Sequence, residues 1–263
     1  MKNEKVFRLF QVLVLCHTVQ IDKNAKEKYQ ASSPDEHSFI KFCIKLGIIY
    51  EGEDKDPDSS AMIRKILFKD KILKYKILQV LEFDSSRKRM SVIVEDMQTN
   101  EIMLFCKGAE TSIFPRCIEG DIQNCKDIVD EFARKGWRTL ALAFKTLSKT
   151  KYSSIEKKLR KCHNDVTNRE YKLMKFFDKI ESKLILIGST GVEDKLQENV
   201  SETLESLREA GIKIWILTGD KMETAVNISH SCKHFSDEMK ILSVTGLKNS
   251  DEVKCKFQLL EKE

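Results

Sequence analysis

Near residue 183 the spacing of apolar residues changes period, and this limits the chain to two dissimilar architectures joined in one polypeptide. Before that point, apolar and polar residues alternate at strand period between helical stretches; after it, short unbroken apolar runs alternate with helices. In the first part, strands are expected at 71–83, 89–96, 102–107 and 139–145, with 98–100 a hairpin turn. Helices are expected at 6–19, at 34–47 with Phe39, Phe42, Cys43 and Leu46 on one stripe, and at 124–135, stopped at Gly136. The acidic stretch 51–60 reads as a solvated turn, so Asp54 and Asp56 are not a catalytic pair. The basic amphipathic stretch 153–177 reads as a helix with a wet, charged face.

In the second part, 184–187 and 212–217 are continuous apolar segments, as in strands covered on both faces. A helix over 196–210, ended by Gly211, lies between them, so strand, helix and strand form a right-handed parallel unit. A helix at 221–232 and a strand at 241–244 continue what reads as the start of a doubly wound α/β sheet. The expected division is an α+β domain over 1–180, with an antiparallel sheet flanked by helices, and an incomplete Rossmann-like α/β domain over 181–263.

Composition removes several classes of function. The chain is 41% hydrophobic, enough for a core, which excludes intrinsic disorder. Its 46 basic against 41 acidic residues leave a net charge of +5, and these charges are interleaved, which disfavours a nucleic-acid binder. No stretch reaches the roughly 18 apolar residues of a membrane helix. The apolar start has helical spacing and no small-residue cleavage site, so it does not read as a secretory signal. The eight cysteines contain no Cys-x-x-Cys pair and read as reduced, mostly buried thiols. His230, Cys232 and His234 are spaced by two residues at a helix end and point in different directions, which disfavours zinc.

The chemistry concentrates at strand ends. Thr218-Gly219-Asp220-Lys221 follows an apolar run: Gly permits a tight turn, Thr offers a hydroxyl, and the amides of the next helix would face an anion. Asp194, after Gly191, reads as a helix cap at the same sheet edge. Phe83 precedes the polar, basic turn Asp84-Ser85-Ser86-Arg87-Lys88-Arg89-Met90, where an exposed ring could stack on a base. Lys107-Gly108 ends another strand and supplies a mobile cation, and Arg138 stands at a strand entrance, where a guanidinium could fork onto phosphate oxygens.

Ser33-Pro34-Asp35-Glu36, the turn 83–92, Lys107-Gly108-Ala109-Glu110, Gly136-Trp137-Arg138-Thr139-Leu140, Asp194-Lys195-Leu196-Gln197 and Thr218-Gly219-Asp220-Lys221 occur in the order seen in P-type ATPases. The chain resembles the type IV branch of that family, the phospholipid flippases, and is similar to its class VI members from about residue 6 to 244. The resemblance implies a nucleotide-binding domain inserted into a phosphorylation domain of the haloacid-dehalogenase type. It implies that Glu36 bonds the adenine amino group, Phe83 stacks on the ring, Ser85 and Met90 line the pocket, Lys107 lies at its floor, and Arg138 binds phosphate. Asp194 would help hold the ribose, and Thr218, Gly219 and Asp220 would receive the γ-phosphate. It further implies ATP, magnesium, a phospholipid and a membrane β-subunit as ligands and partners, and a place at the cytosolic face of a membrane.

The family's phosphorylated Asp lies in an Asp-Lys-Thr-Gly-Thr motif, which this sequence lacks, as it lacks the Gly-Asp-Gly-x-Asn-Asp segment. The expectation is therefore that this polypeptide alone neither forms an aspartyl-phosphate nor moves lipid. Two other readings are an inactive nucleotide-binding or regulatory module, and a soluble phosphatase using Asp54-Lys55-Asp56. The second is disfavoured because no buried strand is expected before that motif.

Overall fold

A computed structural model describes residues 2–22, 28–165, 168–193, 196–219, 222–236, 239–246 and 249–260. The chain divides into two compact units, one of residues 1–133 with 137–193 and the other of 134–136 with 194–263.

The first unit begins with α1 (Lys2–Leu15), a small β1–β2 pair (Gln20–Ile21, Tyr29–Gln30) and α2 (Pro34–Lys45). Strands β3 (Ile48–Lys55), β4 (Met62–Phe68), β5 (Lys71–Asp84), β6 (Arg89–Asp96) and β7 (Ile102–Gly108) follow as a meander. Then come α3 (Glu110–Ile113), a 3₁₀ turn, β8 (Cys117–Glu119), α4 (Ile122–Arg134), β9 (Arg138–Leu147), α5 (Lys149–His163), α6 (Arg169–Ile180) and β10 (Leu184–Val192). The sheet order is β3-β4-β5-β6-β7-β9-β10-β8, antiparallel throughout except for β10 against β8.

The alternation in sequence sorts side chains onto two faces, since successive strand residues point to opposite sides. Met90, Val92 and Val94 of β6 and Met103 and Phe105 of β7 join one core with Phe39 and Ile40 of α2 and Val12 to Leu15 of α1. Ile93, Leu104 and Cys106 join the other, with Val129 of α4, Ile155 and Leu159 of α5 and Ile180 of α6. The sheet is therefore a central layer between two helical layers, as an antiparallel α+β reading requires.

Several expectations need correction. The acidic stretch 51–60 is not a plain turn: Ile48, Tyr50 and Gly52 are buried, and β3 runs through Glu51, Glu53 and Asp54 to pair with β4. A partly buried strand does precede Asp54-Lys55-Asp56, yet both carboxylates are engaged, Asp54 by Lys65 at 2.8 Å and Asp56 by Lys76 and Ser59 at 2.5 Å. The stretch 153–177 is not one helix but belongs to two, α5 and α6.

The largest correction concerns 184–187. These residues begin β10, which pairs antiparallel with β9 within the first unit, Leu186 opposite Ala143 and Val192 opposite Arg138, rather than opening a parallel unit with 212–217. The second unit contains α7 (Val200–Glu209), α8 (Met222–Ser231) and α9 (Ser250–Leu260). Among its described residues neither 212–217 nor 241–244 forms a strand, and Trp215 and Leu217 are 85% and 94% exposed. Nothing among the described residues forms the doubly wound sheet expected there.

Candidate functional site

The residues singled out in the first unit meet at one end of its sheet. Strand β5 ends at Asp84, β6 starts at Arg89, β7 ends at Gly108 and β9 starts at Arg138. Antiparallel pairing puts these four termini side by side: Asp84 is opposite Arg89, Met90 opposite Lys107 and Gly108 opposite Ala141. Adjacent strands lie about 4.8 Å apart, so the strand carrying Phe83 and that carrying Lys107 are separated by about 10 Å.

The hairpin between β5 and β6 is fixed by its own side chain. Asp84 Oδ1 accepts from the amides of Ser86 at 2.9 Å and Arg87 at 3.0 Å, and Lys88 closes the turn with φ of 53°. Asx geometry of this kind suits a tight reversal. The turn leaves Phe83 64% exposed and Ser85 exposed, while Met90 faces the core shared with α1 and α2. At the neighbouring strand end, a Cβ on Gly108 would lie 2.5 Å from both Arg89 Cβ and the Lys88 carbonyl, so only glycine lets β7 approach the hairpin this closely.

Glu36 is set by the start of α2. Ser33 stands at the N-cap, Pro34 opens the helix with its preset φ, and Asp35 and Glu36 fall in the first turn, where negative charge suits the dipole. Glu36 Oε1 accepts from Lys107 Nζ at 2.7 Å, and Oε2 accepts from Thr18 N and Oγ1, both at 2.8 Å. Both members of the ion pair are buried. Burial pushes the Glu36 carboxyl up, but the Lys107 charge, its hydrogen bond and the Thr18 donors outweigh that and hold it below its usual range. Arg138 forms an ion pair with Asp35 on the same helix start, at 3.1 Å. A cleft of about 600 Å³ is lined by Thr18, Val19, Tyr50, Arg64, Val80 and Glu82; it meets the cluster only through Thr18, and Glu36, Phe83, Ser85, Met90, Lys107 and Arg138 do not line it. That volume falls within the roughly 300–1,000 Å³ usual for small-molecule sites.

The structure thus brings Glu36, Met90 and Lys107 into one cluster, places Arg138 beside it through Asp35, and puts Phe83 and Ser85 at the adjoining hairpin. Thr218 and Gly219 belong to the second unit, where they are exposed in a segment without regular structure. Asp194 and Asp220 lie outside the described residues. Among the described residues no group of three His, Cys, Asp or Glu side chains is disposed to hold a metal.

The sequence does not reveal Thr18 as a donor to Glu36, the pairing of Asp35 with Arg138, or the buried cluster that Arg87, Arg89 and Ser91 form on Glu181. Nothing local signals a partner for Arg87 that stands 94 residues away.

A mostly antiparallel sheet between two helical layers is consistent with a nucleotide-binding domain. A family model described as P-type ATPase, cytoplasmic domain N, matches residues 5–199, and the chain belongs to this family. It is 41% identical over 253 residues to phospholipid-transporting ATPase 11C of Mus musculus, covering 93% of this chain and 22% of that protein. It is 40% identical over 257 residues to phospholipid-transporting ATPase IH of Homo sapiens, with the same two shares. It is also 40% identical over 240 residues to probable phospholipid-transporting ATPase 12 of Arabidopsis thaliana, covering 89% of this chain and 20% of that protein. The chain therefore spans about a fifth of the length of these relatives. Among the described residues no helix is long and apolar enough to cross a membrane.

Proposed function

We propose that the first unit binds ATP for a P-type ATPase that moves phospholipid. Adenine stacks on Phe83, with Ser85 and Met90 at the pocket wall, Lys107 at its floor and Arg138 on the phosphates. The reading is carried by the meeting of Phe83, Met90, Lys107 and Glu36 at one sheet end. The donor set agrees with it. A carboxylate offers about four acceptor positions, and Glu36 uses three, on Lys107 and twice on Thr18, so one remains for an exocyclic amine.

The reading of the second unit as the start of a haloacid-dehalogenase-like phosphorylation domain rests on its Asp194-Lys195-Leu196-Gln197 and Thr218-Gly219-Asp220-Lys221 motifs, since its described residues form no sheet. There Asp194 holds the ribose end, and Thr218, Gly219 and Asp220 receive the γ-phosphate. Magnesium, when bound, neutralises charge on the phosphates, and its ligands fall largely outside this chain. In the whole protein, ATP hydrolysis is coupled to phospholipid translocation at the cytosolic face of a membrane, with a membrane β-subunit as partner.

The test is calorimetric titration of ATP into the chain and into Phe83→Ala. Loss of base stacking costs about 1–3 kcal/mol, so the variant should bind about 5- to 150-fold more weakly. Equal affinity in the two proteins would remove the pocket.

A further inference from the structure

On the sheet face opposite Glu36 and Lys107, Glu181 takes most of the side-chain bonds of the hairpin that carries Phe83, with Asp178 also accepting from Arg89. Glu181, at the C-cap of α6, is fully buried. Its Oε2 accepts from Arg87 Nη1 at 2.7 Å and from Arg89 Nε at 2.6 Å, and its Oε1 accepts from Ser91 Oγ at 2.7 Å. Every one of these donors lies on or just after the β5–β6 turn, about 90 residues away in sequence. The other ends of the guanidiniums are also engaged. Arg87 Nη2 donates to the Glu82 carbonyl at 2.5 Å, and Arg89 Nη1 donates to the Arg87 carbonyl at 3.0 Å. The backbone on both sides of Phe83 is thus tied to Glu181 through two rigid forks.

The carboxylate is itself held still. Lys145 Nζ donates to the carbonyls of Ile180 and Ser182, on either side of Glu181, and the Arg87 guanidinium lies over the Phe177 ring at 5.1 Å. A hydrogen-bonded, buried arrangement of this kind fixes geometry well when every member is satisfied. An exposed aromatic on a two-strand turn, by contrast, has little packing of its own to orient it.

We propose that Glu181 is a positioning residue for the nucleotide site: through Arg87 and Arg89 it sets the angle at which the 84–88 turn presents Phe83. It does so without touching the ligand. This rests on the reading of Phe83 as the adenine platform. Because misplacement of a binding group by about 1 Å is felt strongly, Glu181→Gln should weaken ATP binding about tenfold.

Hydrogen exchange read by mass spectrometry on the ligand-free chain, with ATP titration alongside, tests the proposal. In Glu181→Gln, exchange should quicken in the peptide 83–92 while the peptide 102–108 keeps the rate of the unaltered chain. Arg87→Gln, which leaves Arg89 and Ser91 on Glu181, should give the same pattern more weakly, and Arg87→Lys should restore part of the affinity. It decides the matter if Glu181→Gln does not fold. Unchanged exchange and affinity, or uniform quickening across the sheet, overturns the proposal. Phe83→Ala in parallel separates the two claims. If it leaves binding intact the nucleotide reading fails, whereas loss of binding there but not in Glu181→Gln or Arg87→Gln overturns the positioning role alone.

Discussion

Lys107→Met isolates the electrostatics at the floor of the site. The change removes the ammonium 2.7 Å from Glu36 Oε1 and leaves a carboxylate 6% exposed, with only Thr18 N and Oγ1 as donors. Breaking a buried pair from one side costs about 3–5 kcal/mol. The two remaining Thr18 bonds offset part of that, so we expect about 2–3 kcal/mol at pH 7. Glu36→Gln strands the buried ammonium and should cost a similar amount. The double variant strands neither charge and should return to within about 1 kcal/mol of the unaltered chain. The pH dependence has a definite sign. In the unaltered chain the Glu36 carboxyl is held below its ordinary value of 4.5, so its contribution is full above that pH and is lost as pH falls through the lowered value. With Lys107 gone, burial is opposed only by the Thr18 donors, so the carboxyl rises relative to the unaltered chain and the variant gains less stability as pH rises. The gap between the two proteins should therefore widen from pH 4 to pH 7. Urea unfolding followed by Trp137 fluorescence reads this, in a Trp215→Phe background that silences the exposed second indole. Penalties that simply add in the double variant, or a gap that narrows as pH rises, would refute the reasoning.

Gly108→Ala should destabilise the first unit by several kcal/mol, because its Cβ would meet the Lys88 carbonyl and Arg89 Cβ at 2.5 Å, and the backbone there is fixed by the hairpin. A melting temperature within a degree of the unaltered chain would contradict this. Lys145 is nearly buried, and burial, with Lys151 and Lys183 nearby, lowers its pKa from 10.5 to about 8. The charged form is thus penalised below about pH 8, and the penalty is relieved as pH rises toward 10.5. Measured against Lys145→Met by urea unfolding, the unaltered chain should gain up to about 3 kcal/mol between these limits. A flat difference would show that the two carbonyls it serves compensate fully for burial.

The central strands were legible because their alternation is clean. Arg89–Asp96 was placed to the residue, and Ile102–Gly108 and Arg138–Leu147 to within two. The start of α2 was legible from Pro34 and two acids in the first turn. Strand β3 was hidden because Glu51, Glu53 and Asp54 occupy an outer strand, whose free side tolerates charge. The apolar run at 184–187 was recognised as a strand but assigned the wrong neighbours. A strand covered on both faces reads the same in parallel or antiparallel company, and its partners at 138–144 lie some 45 residues earlier. At the site, Glu36 and Lys107 were found through motifs, but their direct pairing follows only from Met90 and Lys107 being opposite each other under α2.

The two margins of the eight-stranded sheet differ in a way that bears on solubility. One margin is β3, with Glu51, Asp54 and Lys55 exposed along it; the other is β8, only three residues long. A foreign strand seeking to extend the sheet past β3 would meet fixed charge, while on the other flank β8 pairs with β10 only at Leu184 and Ile185. In a crowded compartment, the β3 margin should resist being recruited into cross-molecular ribbons, even while the second unit exposes Trp215 and Leu217.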